Sequence, residues 1–289
     1  MDLSIVIVTW NNEKEIKPAL RAVFAAAAGL AVETIVVDNA STDGTRAALA
    51  DASFAGRIQM IANDKNLGFA AAVNEGLAKA SGEYVLLLNP DTTVSPAAFK
   101  IMLDKLRAAP DVGIAGGKML NDDGSWQASV RRFPTVIDQA FILLKLHNYF
   151  PGVVDKYFCN GFDRDQEQAV DQVRGAYFWI SRKLIDRIGL LDARNFFIWF
   201  EEVDYCRRAR DAGFKVLYFP DSVATHAGGA SFGRALSLKK QFWFNRSLIK
   251  YFAKHGTALD VLALLLLTPF SFALAALVQI LNLKPKKYV

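Results

Sequence analysis

The run Ser4-Ile5-Val6-Ile7-Val8, followed by Thr9-Trp10-Asn11-Asn12, sets the reading of the chain. Residues 4–8 are apolar and β-branched without alternation, the pattern of a strand buried on both faces in a parallel sheet. A helical stretch over 13–28 leads to a second such strand, Thr34-Ile35-Val36-Val37, which stops at Asp38-Asn39-Ala40-Ser41-Thr42-Asp43-Gly44-Thr45. Strand, helix, strand makes one βαβ unit. The pattern repeats with a short strand over 57–61, a helix over 69–79, and Tyr84-Val85-Leu86-Leu87-Leu88 running into Asn89-Pro90-Asp91. The predicted fold class is therefore α/β, an open, mostly parallel sheet of Rossmann-like βα units with right-handed crossovers. Ligands of such sheets bind beyond the carboxyl ends of the strands, so the polar residues after Val8, Val37 and Leu88 are expected around one crevice.

After Gly116-Gly117 the periodicity loosens into a polar and aromatic stretch containing Asp122-Asp123-Gly124 and Arg131-Arg132-Phe133-Pro134. Order returns at Arg174-Gly175-Ala176-Tyr177-Phe178-Trp179-Ile180. A helix is then expected near 183–188, another over 201–212 ended by Gly213, and a strand at Lys215-Val216-Leu217-Tyr218-Phe219.

The 289 residues carry a formal charge of +5, and the basic excess gathers near the C-terminus at Lys239, Lys240, Arg246, Lys250, Lys254, Lys284, Lys286 and Lys287. These residues flank an uncharged apolar run over 261–283, which suits an anionic membrane surface and argues against nucleic acid as a partner. The run is long enough to cross a bilayer. Thr268-Pro269 inside it and basic residues on both sides favour a re-entrant or interface-lying helical hairpin over a full crossing. Cys159 and Cys206 stand in no paired-thiol motif, which points to a reducing compartment. The N-terminus enters the first strand without a basic, apolar leader, so export is not expected.

Several polar residues admit two readings. Asp38, ending a buried strand, suits a ribose or base edge, or else an ordinary turn. Asn89-Pro90-Asp91 offers a hard oxygen ligand for magnesium or manganese, or a plain strand-ending turn. Glu201, Glu202 and Asp204 begin a helix, where carboxylates complement the dipole. The aromatic run Phe196-Phe197-Ile198-Trp199 before them would equally raise a carboxyl toward the range of a general base. His226, in a small-residue loop, is either a metal ligand or structural. No Gly-x-Gly-x-x-Gly follows the first strand, which argues against a dinucleotide enzyme.

Taken in order, the segments at 4–12, 36–45, 63–76, 86–91, 174–181, 196–208 and 226–231 resemble the inverting family 2 glycosyltransferases of GT-A fold, most closely the bacterial rhamnosyltransferase-like branch. The resemblance implies a catalytic domain over 1–235, with a nucleotide-sugar half (1–116) and an acceptor half (117–235), and a membrane-associating segment over 236–289. It places Thr9, Asn11 and Asp38 around the nucleoside, and Asn66, Gly68 and Asn74 near the donor sugar and diphosphate. The Asp-x-Asp metal motif of the family corresponds to Asn89-Pro90-Asp91 with its first acid replaced by an amide, leaving Asp91 and His226 to hold Mg2+ or Mn2+. Glu202 is the implied base, beside Glu201 and Asp204. The implied donor is a dTDP- or UDP-linked sugar, L-rhamnose first. The implied acceptor is a lipid-linked glycan at the cytoplasmic face of the membrane. Another hexosyl or furanosyl donor, or an inactive sugar-nucleotide-binding scaffold, are the alternatives.

Overall fold

The computed structural model describes residues 1–227 and 238–281. Lys284, Lys286, Lys287 and the 228–231 part of the last motif lie outside the described residues. The strands are β1 Leu3–Thr9, β2 Val32–Asp38, β3 Gln59–Ala62, β4 Tyr84–Leu88, β5 Thr92–Val94, β6 Val112–Leu120, β7 Trp126–Gln127, β8 Val130–Arg131, β9 Gln168–Ala169, β10 Gln172–Val173, β11 Tyr177–Ser181 and β12 Lys215–His226. The helices are α1 Ile16–Ala26, α2 Thr45–Leu49, α3 Phe69–Lys79, α4 Ala98–Ala108, α5 Val136–Leu143, α6 Asp155–Phe158, α7 Arg182–Ile188, α8 Glu201–Asp211, α9 Leu238–His255 and α10 Ala258–Ile280.

One ten-stranded sheet runs β3-β2-β1-β4-β11-β6-β12-β5, with β7 paired to β6 and β9 to β12. Every residue of β1 and β4 is buried, as a strand covered by helices on both faces requires. One core packs α1 and α4 against one side through Ile7, Leu20, Phe99 and Trp179. The other packs α3, α7 and α8 through Val6, Val73, Leu184 and Tyr205. Fully burying one such side chain stabilises by roughly 1.5–3 kcal/mol.

The parallel run β3-β2-β1-β4 agrees with the sequence reading, and its register sets Thr9 beside Asp38 and Ile7 beside Leu88. The strand ends, and the polar residues that follow them, therefore share one rim. Beyond β4 the sheet is mixed: β11 runs antiparallel to both β4 and β6, whereas β12 is parallel to β6. β12 also extends past Phe219, where the sequence pattern stops. A register shift between Phe219 and Val223 takes up Pro220, and the strand then continues to His226, paired with Thr92 of β5. Proline in a sheet is accommodated at such irregularities.

The expected break at Pro269 does not occur. α10 is continuous from Ala258 to Ile280, and the hairpin is instead formed by α9 and α10 around Gly256 and Thr257, with Thr257 and Asp260 making a reciprocal cap. Thr268 donates to the Leu264 carbonyl, Ser271 to the Thr268 carbonyl, and Asn245 of α9 to Ser271. Neighbouring hydroxyls and a packed helix are what make an internal proline tolerable. A third core of Leu143, Phe196, Phe200, Leu248, Tyr251, Phe252 and Leu264 fixes this hairpin to α5 and α8. Among the described residues α10 is the one helix long and apolar enough to cross a membrane. It exposes Leu259, Leu262, Leu266, Phe270 and Ile280.

Candidate active site

The loops after β1 and β2 are tied to each other. Asn11, in the left-handed region at φ 58°, accepts from the Thr42 amide at 2.8 Å, and its own amide donates to Ser41 Oγ at 2.9 Å. Thr9 is fully buried and donates to Asn12 Oδ1. Asp38 is also fully buried: its Oδ2 accepts from Arg46 Nε and the Ser41 amide, while its Oδ1 is buried without a hydrogen-bond partner. A buried acceptor left open at a strand end is the kind of group a ligand N–H or hydroxyl completes. Arg46, which orients this carboxylate, was not singled out by the sequence reading.

Next to it, Asn66 Oδ1 accepts from Asn39 Nδ2 and from the Gly68 amide. Gly68 sits at φ +89°, and a Cβ there would come within 2.6 Å of the Phe197 carbonyl oxygen, to which Phe69 N–H donates. Glycine is required twice over at this point, for conformation and for space. Asn74 uses both ends of its amide on the backbone of Leu191, at 2.8 and 3.0 Å. It ties α3 to the segment leading into α8, a positioning part that the sequence reading did not give it.

At the rim where β4 ends and β12 pairs β5, Asp91 Oδ1 lies 3.3 Å from His226 Nε2, and Asn89 Nδ2 lies 3.5 Å from that nitrogen. Two donors on neighbouring corners of an octahedral ion, at bonds of about 2.1 Å, stand about 3 Å apart. The pair therefore fits one divalent cation. Among the described residues no third His, Cys, Asp or Glu completes a set, which is the incomplete protein shell expected of Mg2+ or Mn2+ sites finished by substrate phosphate and water.

Gln127, which the sequence reading missed, organises this corner. Its Nε2 donates to the His226 carbonyl at 3.1 Å and to Asn121 Oδ1 at 2.8 Å, so its Oε1 faces His226 Nδ1 at 2.8 Å and Arg174 Nη1 at 2.5 Å. That acceptor selects the tautomer protonated on Nδ1 and leaves the Nε2 lone pair toward Asp91. Gln127 lies in an aperiodic stretch, so nothing local in the sequence marks it.

Arg174 leads to the carboxylates. Glu202 lines a cavity of about 170 Å3 with Arg131, Tyr157, Arg174, Trp199 and Phe244. A larger cavity of about 190 Å3 around Phe158, Cys159 and Arg164 has no carboxylate in its lining. Trp199 and Phe200 both adopt left-handed conformations, at φ 65° and 67°. Bulky residues there are strained, and such strain collects at functional sites. It is held by Phe244, which meets both rings, and by Ser247 Oγ, which donates to the Ile198 carbonyl.

Of the three acids, only Glu202 reaches this cavity. Glu201 is 4% exposed and its Oε2 has no hydrogen-bond partner. Burial, then the neighbouring Glu202, pushes its carboxyl well above the usual range. Burial also raises Glu202, but Arg174 opposes the shift, so the one negative charge the pair most readily carries belongs on Glu202. Asp204 was expected among the catalytic acids and does not line this cavity. It is fully buried on another face of α8, 2.9 Å from Arg208, 2.8 Å from Lys254 and 2.7 Å from His255. Successive residues on a helix are turned by about 100°, so three acids in four positions cannot share one side. Burial would raise Asp204, but His255, Lys254 and Arg208 together hold it below the usual carboxylate range.

The model of the glycosyl transferase family 2 matches residues 4–186. The chain is 26% identical over 247 residues to the N-acetylglucosaminyl-diphospho-decaprenol L-rhamnosyltransferase of Mycobacterium tuberculosis, covering 80% of this chain and 78% of that protein. It is 25% identical over 248 residues to protein y4gI of Sinorhizobium fredii, covering 85% of this chain but only 26% of that much longer relative. In structure it is similar to a mannosyltransferase of Pyrobaculum calidifontis solved with GDP-Man and Mn2+, with a TM-score of 0.59 at 19% identity over 99% of this chain and 76% of that one. The ordered strand-end motifs, the mixed sheet and a family match over more than half of the sequence converge, and the chain belongs to glycosyl transferase family 2, with the GT-A fold.

Proposed function

We propose that this glycosyltransferase moves a sugar, with inversion, from a nucleoside diphosphate donor to a hydroxyl of a lipid-linked acceptor at the cytoplasmic face of a membrane, in cell-surface glycan synthesis. The observation that carries the reading is the single chain of contacts from Asp91 and His226 through Gln127 and Arg174 to the cavity holding Glu202. Leaving group and base are served from opposite ends of that chain. Glu202 takes the proton of the acceptor hydroxyl while its oxygen attacks the anomeric carbon; the bond from that carbon to the diphosphate oxygen breaks, and one displacement inverts the centre. Arg174 favours the ionised form that Glu202 needs. Asp91 and His226 would hold Mg2+ or Mn2+, which supplies neutralisation of charge on the departing diphosphate. Asp38, with its open Oδ1, takes the nucleoside, and Asn39, Asn66 and Gly68 shape the floor beside it.

L-Rhamnose from dTDP-rhamnose is the first donor to try, because the mycobacterial relative bears rhamnosyl transfer in its name. The apolar face of α10, with Lys239, Lys240, Arg246 and Lys250 on α9, suits attachment to an anionic membrane. Asn89 in place of an acid keeps an inactive sugar-nucleotide-binding scaffold as the second reading. A panel of dTDP- and UDP-sugars with Mn2+ or Mg2+ and a prenyl-diphosphate-sugar acceptor separates the two. Metal-dependent release of nucleoside diphosphate that Glu202→Gln abolishes supports the transferase. Tight donor binding with no turnover from any donor supports the scaffold.

A further inference from the structure

We propose that the cavity lined by Arg131, Arg174 and Glu202 seats a phosphate group of the acceptor, so that the acceptor is a sugar joined directly to a lipid phosphate or diphosphate. The inference rests on the reading of Glu202 as the base.

The charge balance of the cavity comes first. Two guanidinium groups and one carboxylate line it. The contacts of Arg131 are the Val130 carbonyl at 3.2 Å and the face of Phe158 at 4.8 Å, and among the described residues no carboxylate forms an ion pair with it. Arg174 donates to the neutral Gln127. Covered charges are ordinarily paired, since an unpaired one loses hydration without recompense. Burial lowers both guanidinium pKa values, and the charge of Arg131 lowers Arg174 further, to about 10. An anion entering the cavity would answer both guanidinium groups, and phosphate matches their fork of donors.

Position then separates acceptor from donor. Arg174 donates to Gln127, which also holds His226, so it stands between the two ends of the site, whereas the guanidinium of Arg131 meets the Val130 carbonyl and the Phe158 ring and no residue of the metal corner. Arg131 is therefore the cation assigned to the acceptor. Because it shares a cavity of about 170 Å3 with Glu202, the anion and the hydroxyl being deprotonated lie within about one sugar unit of each other. Its aromatic wall is Tyr157, Trp199, Phe200 and Phe244. Phe244 belongs to α9, which packs on the apolar α10, so a hydrocarbon tail leaving the phosphate meets the helical hairpin rather than the donor crevice.

The test uses the full chain in discs of neutral phosphatidylcholine, titrated calorimetrically with farnesyl diphosphate, farnesol, and UDP or dTDP with Mn2+. Farnesyl diphosphate should bind more tightly than farnesol to the native protein. Arg131→Gln should weaken farnesyl diphosphate about tenfold or more, the effect of losing a charge-assisted hydrogen bond, and leave nucleotide binding within about twofold. Arg131→Lys should recover part of the loss. Equal affinity of the native protein for farnesol and farnesyl diphosphate overturns the proposal without any variant. Loss of nucleotide binding in Arg131→Gln, with farnesyl diphosphate undisturbed, overturns it in favour of a donor role. Absence of sugar transfer with farnesyl diphosphate binding intact rejects the proposed reaction and leaves this site standing. Transfer with an unchanged acceptor KM in Arg131→Gln does the reverse.

Discussion

Replacing Asp204 with Ala removes a fully buried anion from between Arg208, Lys254 and His255, at 2.9, 2.8 and 2.7 Å. Removing one partner of a buried ion pair costs about 3–5 kcal/mol, because the other charge stays behind desolvated. Here Arg208 is 19% exposed and Lys254 31%, so both can partly rehydrate and the low end, about 3 kcal/mol, applies. At about 2–4 °C per kcal/mol for a domain of this class, Tm should fall by roughly 6–12 °C. The pH dependence adds a second constraint. The Asp204 carboxyl is held below its ordinary value of 3.8, so its contribution is present above that value and is lost as pH falls through the lower, folded-state pKa. Thermal melts of native and variant protein should differ fully at pH 7 and begin to converge as pH falls below about 4. A gap smaller than about 1 kcal/mol at pH 7, or one that persists undiminished at pH 3, refutes the reasoning. Sugar transfer assayed at low temperature should survive the substitution. If the folded variant were as inactive as Glu202→Gln, Asp204 would have to be returned to the chemistry.

Glu201→Gln removes a buried carboxyl whose folded pKa is raised, a group whose favourable contribution exists below about pH 4.5 and is lost as pH rises. The variant should melt a few degrees above the native protein at pH 8, with the gap closing toward pH 4.5; equal melting temperatures at pH 8 would count against the assignment. Gln127→Leu should weaken Mn2+ binding, followed by the free-ion paramagnetic resonance signal with UDP present, by roughly 10–100-fold, the usual effect of losing the residue that orients a ligating histidine. An unaltered Mn2+ affinity there, alongside a large loss in His226→Ala, would show that Gln127 orients nothing. Leu262→Lys with Leu266→Lys, at 53% and 63% exposed positions on α10, should cut co-flotation with acidic phospholipid vesicles at least about tenfold, given the cost of placing lysine among acyl chains; undiminished flotation would remove α10 from the membrane contact.

The N-terminal, parallel part of the sheet was legible because burial on both faces leaves an unbroken signature in residues 4–8, 34–37 and 84–88, and parallel pairing then aligns the strand ends. Later features depend on pairing that no local pattern records. Pro220 and Asp221 make β12 look finished at Phe219, yet an irregular register carries it on to His226. Pro269 looks like a break because the sequence cannot tell which hydroxyls and which neighbouring helix will surround it. Glu201, Glu202 and Asp204 were rightly singled out as a helix-opening group, but which of them faces the cavity is a matter of how α8 sits against α9. Gln127 and Arg46 act through residues distant in sequence or by orienting another side chain, and Arg131 drew notice only as part of an irregular polar stretch.

The corner formed by Asn89, Asp91, Gln127 and His226 has a consequence for the order in which the protein matures. Asn89 and His226 are 137 positions apart, and Gln127 and His226 are 99. During synthesis the parallel strands β1, β2 and β4 can pair long before β12 leaves the ribosome, since domains begin to organise from the N-terminal side. Closing so long a loop is slow compared with local pairing. For that interval the nascent chain exposes the flank of β4 where β11 will insert, an unprotected edge of apolar sheet. Conditions that slow translation or folding late in the domain should therefore favour aggregation over the accumulation of a soluble, half-built enzyme.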